Sequence, residues 1–564
     1  MGLYEKCRNV GERIQRQGIS GTLHYYRTRK KEQKKILQKI QESHLLSEKD
    51  LEEQRKEKLE SRPLISILTP LYNTSETYLE QLLNSVQRQT YENWELCLAD
   101  GSDDAHSSVG EICKRYARTD SRIRYQKLEK NEGIVGNTNR CLELASGSYY
   151  GLLDHDDLLH ASALYEVVKV ISAGADFVYT DEMKFRDSIE DSADIVCKNG
   201  FGKDELRSHN YICHFVVFKK SLLDGMDVLY REVCEGSQDY DMVLRLTEKA
   251  EHIVHIPKIL YYWRVHPGSV SMNLSGKQYA VDAAQRAIAD QLERCQEPGQ
   301  VACNYPYETI YRMKYILKEH PLVSVILWGD KEKKELEPYI RTLLLKTAYR
   351  PLEIVLPEKQ YEQYGRDGVS AISGDTQVAV SVRPTGEYLL YLNENCKPVN
   401  ASWIEELLMF AQREDVGVVG PHIMYRNQQT YFAGAVLDRD IPSGIHVVNQ
   451  NLEAKDQGYE ANMKHVRNTS ILTMQCMMVS RKLYEDLGGF DLRMGDCKDA
   501  DFCLRSRRKG KNNVWTCFSS VYYSGKGTPE TIWTMCKEFR KTWEAALREG
   551  DEYYPPLLKE LKWL

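Results

Sequence analysis

The segment Pro63-Leu-Ile-Ser-Ile-Leu68 returns as Pro321-Leu-Val-Ser-Val-Ile-Leu327, and this repeat limits what the chain can fold into more than any other feature. Each copy reads as a short buried strand: an apolar run opened by proline. Each is followed by a helical stretch and then a second strand, Trp94-Glu-Leu-Cys-Leu98 in one case and Leu352-Glu-Ile-Val-Leu356 in the other. Two further landmarks recur in the same order. Gly147-Ser-Tyr-Tyr-Gly-Leu-Leu-Asp154 is echoed by Gly386-Glu-Tyr-Leu-Leu-Tyr-Leu-Asn393, and Asp239-Tyr-Asp241-Met-Val-Leu-Arg245 by Asp499-Ala-Asp501-Phe-Cys-Leu-Arg505. Landmarks repeated in order indicate a duplicated module. Strands alternating with helices make each copy a doubly wound α/β sheet. In such sheets ligands bind outside the carboxyl ends of the strands.

Around the repeat the 564 residues divide into a basic arm and linker (1–62), a first module (63–275), a linker (276–320), a second module (321–527) and a helical tail (528–564). The formal charge is −6, which argues against a nucleic-acid binder with a basic surface. That average hides an arm with eleven Lys/Arg against three Glu in positions 1–40, 11 − 3 = +8. Such an arm suits an anionic membrane face; a solvated helix is the alternative. No apolar run reaches the 18–20 residues of a membrane span, and no apolar signal core opens the chain. The fifteen cysteines are scattered with no CxxC pair, as expected of reduced thiols in a cytoplasm.

Polar residues just after the first module's strands are the candidate site. Asp154-His-Asp156-Asp157 follows an apolar strand, and carboxylates at i and i+2 there can turn toward one hard cation such as Mg²⁺; an acidic turn capping the next helix is the alternative. Asp100-Gly101-Ser102 ends the second strand, where Asp100 can accept hydrogen bonds from a base or ribose or simply shape a turn. Gly133, Gly136, Asn137 and Asn139 enter a helix whose N–H groups could meet a phosphate. Asp239 falls in the first turn of a helix, as a general base or as a cap. Tyr261-Tyr-Trp263-Arg264-Val-His266-Pro-Gly-Ser reads as a lid that brings Arg264 and His266 over a diphosphate–metal site.

Residues 63–275 resemble a family 2 glycosyltransferase of the GT-A fold. The resemblance is carried by Thr69-Pro-Leu-Tyr-Asn73, Ser85-Val-Gln-Arg-Gln-Thr-Tyr91, Asp100-Gly-Ser, Asn131-x-Gly133-x5-Asn139, Asp154-His-Asp156-Asp157, Gln238-Asp239-Tyr-Asp and Tyr262-Trp-Arg-Val-His-Pro-Gly-Ser. With Tyr179-Thr-Asp-Glu182 and Ser208-His-Asn-Tyr-Ile212, the chain is most similar to bacterial two-module enzymes of rhamnosyltransferase and cell-wall or capsular polysaccharide type. The resemblance implies that Asp100 contacts the nucleotide base, with Pro70, Tyr72 and Asn73 lining its pocket. It implies Gly133, Asn139 and Arg264 as further donor contacts. Asp154 lies toward ribose or metal, Asp156 and His266 on Mg²⁺ or Mn²⁺, and Asp239 is the base of an inverting displacement. Gln238 stands where the family commonly has Glu. The implied donor is a UDP- or dTDP-linked sugar, the acceptor a glycan or lipid-linked saccharide at the cytoplasmic membrane face.

The second module departs from that pattern. Leu356-Pro-Glu-Lys359 replaces the acidic turn, Asn393-Glu394-Asn395 replaces the strand-end carboxylates, and Tyr522-Tyr-Ser-Gly stands in place of the lid histidine. Neutral Asn is a poorer Mg²⁺ ligand than a carboxylate, although Glu394 could compensate. This module is expected to keep the fold and lose donor turnover. Two other classes compete: a scaffold with both modules degenerate, which the intact Asp100, Asp156, Asp239 and His266 oppose, and a nucleotidyltransferase, whose Gly-rich cationic triphosphate loop has no counterpart in Thr69-Pro-Leu-Tyr-Asn.

Overall fold

The computed structural model describes residues 35, 38–40, 42, 44–190, 192–266, 278–365, 370–373, 376–534 and 536–561. Most of the basic arm and the last part of the expected lid, from Pro267, lie outside the described residues.

The first module runs β1 (Ile65–Leu71), α1 (Glu76–Gln87), β2 (Trp94–Asp100), β3 (Ile123–Lys127), α2 (Gly133–Leu144), β4 (Tyr149–Leu152), β5 (Phe177–Phe185), β6 (Val216–Lys219), α3 (Gln238–Thr247) and β7 (Ile253–Arg264). Its sheet is ordered β3-β2-β1-β4-β6-β5-β7, with Leu158–Leu159 at the far edge. β3, β2, β1 and β4 are parallel, β6 runs antiparallel between β4 and β5, and β7 is parallel to β5. β1 and β2 are buried along their whole length, as strands covered on both faces must be.

The second module repeats this plan with β8 (Val323–Trp328), β9 (Leu352–Val355), β10 (Tyr388–Asn393), β11 (Val416–Tyr425), β12 (Cys476–Ser480), α4 (Lys498–Arg508) and β13 (Asn512–Tyr523). The central order is β9-β8-β10-β12-β11-β13, with the same strand directions. Register is kept as well: Ile65 pairs with Trp94 and Tyr149, and Val323 with Leu352 and Tyr388.

A buried polar cluster explains why the repeat is visible in sequence. Ser66 Oγ donates to Glu95 at 2.6 Å and accepts the Gly147 N–H at 2.9 Å; Ser324, Glu353 and Gly386 do the same at 2.6 and 2.8 Å. A buried carboxylate must be fully hydrogen-bonded, so the serine, glutamate and glycine stand or fall together. A Cβ at Gly147 would come within 2.5 Å of the Leu64 carbonyl oxygen, and one at Gly386 would meet that of Leu322.

Within the expected linker 276–320, residues 278–315 form a packed helix and strand pair. Gln278–Arg294 is a helix that buries Val281, Ala284, Ala287, Ile288 and Leu292 on one face, and Gly299–Asn304 pairs antiparallel with Tyr307–Tyr315. This unit packs on α3 and reaches the seam between the modules. There Arg413, 5% exposed, pairs with Asp204 of the first module, and Arg207 and Arg413 both donate to the Tyr315 hydroxyl, at 2.9 and 3.1 Å. A buried guanidinium is tolerated only when paired in this way. The stretch before the first module is also docked: the helix Glu48–Lys56 buries Leu51, and Gln54 accepts from Thr90 and Ser162. The tail forms helices at Lys537–Thr542, Glu544–Glu549 and Pro556–Leu561 and returns to the first module, where Leu558 packs with Met183, Phe185 and Tyr262.

Candidate active site

Leu71 pairs with Asp100 across β1 and β2, and Leu68 with Leu152 across β1 and β4. The turns after these three strands therefore line one crevice, and Thr74 Oγ1 meets His155 Nδ1 across it at 3.0 Å. α3 delivers Asp239 to the same place.

Position in α3 separates the two aspartates of Asp239-Tyr-Asp241. Asp241 points inward, fully buried, and takes Arg245 at 2.8 Å and Arg231 at 3.0–3.1 Å. Asp239, on the other side, is half-buried and accepts Asn210 Nδ2 at 3.1 Å. Burial raises its carboxyl above the ordinary value, against the opposing pull of the Tyr240 N–H and His214. A carboxylate so placed is a better base than one in water.

The strand-end carboxylates have three different settings. Asp157 is 1% exposed and accepts the Tyr261 hydroxyl at 2.5 Å and the Arg264 N–H at 2.7 Å, which makes it the internal anchor of the turn. Asp156 faces His266, Oδ2 to Nε2 2.9 Å, with the side chains 21% and 28% exposed. Asp154 is 53% exposed and lies 3.6 Å from His214 Nε2. Among the described residues no three metal-ligating side chains converge. Asp156 and His266 do present one oxygen and one nitrogen donor at the crevice, a set that fits Mg²⁺ or Mn²⁺ held in addition by a diphosphate.

Four of the expected donor contacts are held by partners within the protein. Arg264 is not on a lid: it is the last residue of β7, 1% exposed, between the Tyr78 and Phe185 rings at 4.2 and 4.4 Å. Its guanidinium donates to Gln81 Oε1 and the Asp156 carbonyl, both at 2.7 Å, so it braces the turn from beneath. Asp100 is 1% exposed; its carboxylate takes the Ser102 N–H and the Tyr125 hydroxyl, both at 2.8 Å, and is committed to the turn. Asn139 exchanges two hydrogen bonds of 3.0 Å with the Tyr230 backbone and so holds that loop. Gly133 has φ +71°, which favours glycine, but its N–H is taken by Asn131 Oδ1 at 3.0 Å. Pro70 is buried within β1. At this turn Tyr72, 46% exposed, and half-buried Asn73, paired with Asp103 at 3.0 Å, face outward.

His214 was not singled out from sequence. Its Nδ1 lies 3.3 Å from Glu182 Oε2, and its ring stacks on Tyr261 at 4.8 Å and 10°. Burial would depress this imidazole, but Asp154 and Glu182 hold it well above its usual value. Glu182 is 2% exposed; burial would raise it, and Lys198, 3.0 Å away, brings it to about 2. The signal in the sequence was Glu182, inside β5 in the segment Tyr179-Thr-Asp-Glu182, rather than the lone histidine.

The pattern described as Glycosyl transferase family 2 matches residues 66–225, from β1 past β6. Residues 66–225 are a family 2 glycosyltransferase domain. Over 492 residues, 83% of this chain, the sequence is 33% identical to the uncharacterized protein y4gI of Sinorhizobium fredii, covering 53% of that protein. Over 526 residues, 89% of this chain, it is 28% identical to the O-antigen biosynthesis protein RfbC of Myxococcus xanthus, covering 41% of it. Both matches extend beyond the glycosyltransferase domain into the second module, and the chain spans about half the length of these relatives. S. aureus TarS with UDP-GlcNAc superposes on 40% of this chain and 66% of its own, at 19% identity and a TM-score of 0.34. So loose a fit carries nothing about ligands.

In the second module the corresponding residues are engaged within the protein. Glu394 is 1% exposed and turns back to accept the Asp330 N–H at 2.7 Å and that of Lys331, while Lys331 Nζ takes Asn395 Oδ1 at 2.8 Å. Asp499 and Asp501 are each 1% exposed, bonded to the tail residues Trp533 at 2.8 Å and Trp543 at 3.0 Å.

Proposed function

We propose that the first module transfers a sugar from a nucleoside-diphosphate sugar to a saccharide or lipid-linked acceptor in bacterial cell-surface polysaccharide synthesis, by a single inverting displacement. The observation that carries this is Asp239: a half-buried carboxylate with a raised pKa, held by Asn210 and facing the crevice that Asp154 and Asp156 also line. The acceptor hydroxyl loses its proton to Asp239 as its oxygen bonds to the anomeric carbon. The bond from that carbon to the diphosphate oxygen breaks on the opposite face, and the electron pair leaves with the nucleoside diphosphate. Tyr72 and Asn73 border the donor pocket, and Asp154 orients the sugar-nucleotide. Asp156 and His266 would hold Mg²⁺ or Mn²⁺, which offsets the charge of the leaving group.

The second module serves as a structural companion, with Glu394 and the tail tryptophans filling both halves of its crevice. The donor is a UDP- or dTDP-linked sugar, and the basic arm contacts the inner face of the membrane. RfbC, named for O-antigen biosynthesis, supports the polysaccharide setting. A panel of UDP-, GDP- and dTDP-sugars with Mn²⁺ or Mg²⁺, scored by nucleoside diphosphate release and by the anomeric configuration of the product, tests this reading. Release with inversion is expected; retention, or no release from any donor, would refute it.

A further inference from the structure

We propose that His214 is a positioning residue for the donor site, one that fixes Asp154 in the crevice beside Asp239. The proposal rests on the transferase reading above.

A chain of polar contacts runs from the interior to the crevice. Lys198, 2% exposed, donates to Glu182 Oε2 at 3.0 Å, to the Ile212 carbonyl at 2.5 Å and to the His214 carbonyl. Glu182 in turn faces His214 Nδ1 at 3.3 Å, which leaves Nε2 directed at Asp154 Oδ2, 3.6 Å away. The segment carrying His214 is thus tied by backbone and ring at once.

The exposed end of this chain has no structural task that the buried end leaves undone. Lys198 and Glu182 already satisfy each other, so the interior does not need the imidazole to balance charge. What His214 adds is a contact with a carboxylate that is itself 53% exposed. Left alone, that side chain would turn among its rotamers in water. The imidazole also stacks on Tyr261, the residue whose hydroxyl receives the Asp154 N–H at 3.4 Å and donates to Asp157 at 2.5 Å. Ring and carboxylate turn therefore share one anchor. With Arg264 committed beneath the turn, His214 is, among the described residues, the basic side chain within 4 Å of the Asp154 carboxylate. Such supporting partners set the geometry of the groups they hold, and their loss commonly costs about 10–100-fold in affinity or activity.

The test compares wild type, His214→Ala, His214→Gln and Asp154→Asn, using UDP, GDP and dTDP as titrants and donor-dependent nucleoside diphosphate release as the activity. His214→Ala is expected to raise the donor KM and the nucleotide Kd by about tenfold. His214→Gln, which can still donate to Asp154, recovers part of the loss. In the double variant the His214→Ala effect disappears once Asp154 is already Asn, because two residues acting through one contact are not additive. If His214→Ala does not fold, the Gln variant with and without Asp154→Asn carries the same cycle. Unchanged KM and Kd in a folded variant, or fully additive effects with Asp154→Asn, would overturn the positioning role. Wild type that binds a nucleotide yet releases none from any donor refutes the transferase reading instead, while the Kd comparison still decides the role of His214.

Discussion

Trp533 Nε1 donates to Asp499 Oδ1 at 2.8 Å. Asp499 occupies in α4 the place of Asp239 in α3, and Asp501–Arg505, 2.7 Å, repeats Asp241–Arg245, 2.8 Å. The helix and its inner ion pair were kept through duplication, while the outward carboxylate became an anchor for the tail. On the proposed reading, a tryptophan on that carboxylate takes the place an acceptor hydroxyl would need.

Trp533→Ala should therefore destabilise the protein by about 3–5 kcal/mol, the range for a large aromatic removed from a core. Donor KM in the first module should not change. Urea unfolding with parallel kinetics checks both, and a rise in donor KM would mean the tail serves the active site.

Because Glu394 and Lys331 fill the other half of that crevice, one nucleoside diphosphate should bind per chain. Calorimetric stoichiometry near one is expected for wild type and for Glu394→Gln, and near zero for Tyr72→Ala combined with Asp154→Ala. Two sites in wild type would show that the second crevice opens.

Activity should fall on the acid side at a pH above the ordinary aspartate value of about 3.9. As the proposed base Asp239 would work only when ionised, and burial raises its pKa, so the limb moves to higher pH. A kcat/KM profile against pH reads this directly. Chelation should abolish transfer at every pH, with recovery on adding Mn²⁺ or Mg²⁺.

Stability should carry a separate acid limb of opposite origin. Glu182 is depressed from 4.5 to about 2 in the folded state by Lys198. Its contribution is fully present above pH 4.5 and is lost as pH falls from there toward 2. Glu182→Gln should flatten that part of the stability–pH curve.

Much of the fold was legible in the sequence because the features that build it are local. Strands of the Pro63–Leu68 type, the serine and glycine that serve the buried glutamate, and the acidic turns after strands all sit in short windows. The crevice could be outlined for the same reason. What misled was commitment to distant partners. Arg264 has the composition of a ligand contact, but Gln81 and the Phe185 ring, far away in the chain, claim it. Asp100 is claimed by Tyr125 and Asn139 by the Tyr230 backbone. His214 was passed over because its meaning comes from Glu182 and Asp154, neither of them near it in sequence. In the stretch 276–320, Val281, Ala284, Ala287, Ile288 and Leu292 follow a helical period that is legible in the sequence.

The chain has two related modules and, on the proposed reading, one working site. Nucleoside diphosphate release from the best donor, compared in folded Asp239→Asn and Asp499→Asn, tests it most directly. Asp239→Asn should lose about 10²–10⁴-fold in kcat, the range for a general base, with nucleotide binding retained, and Asp499→Asn should turn over like wild type. Turnover that survives in Asp239→Asn, or is lost in folded Asp499→Asn, would contradict it.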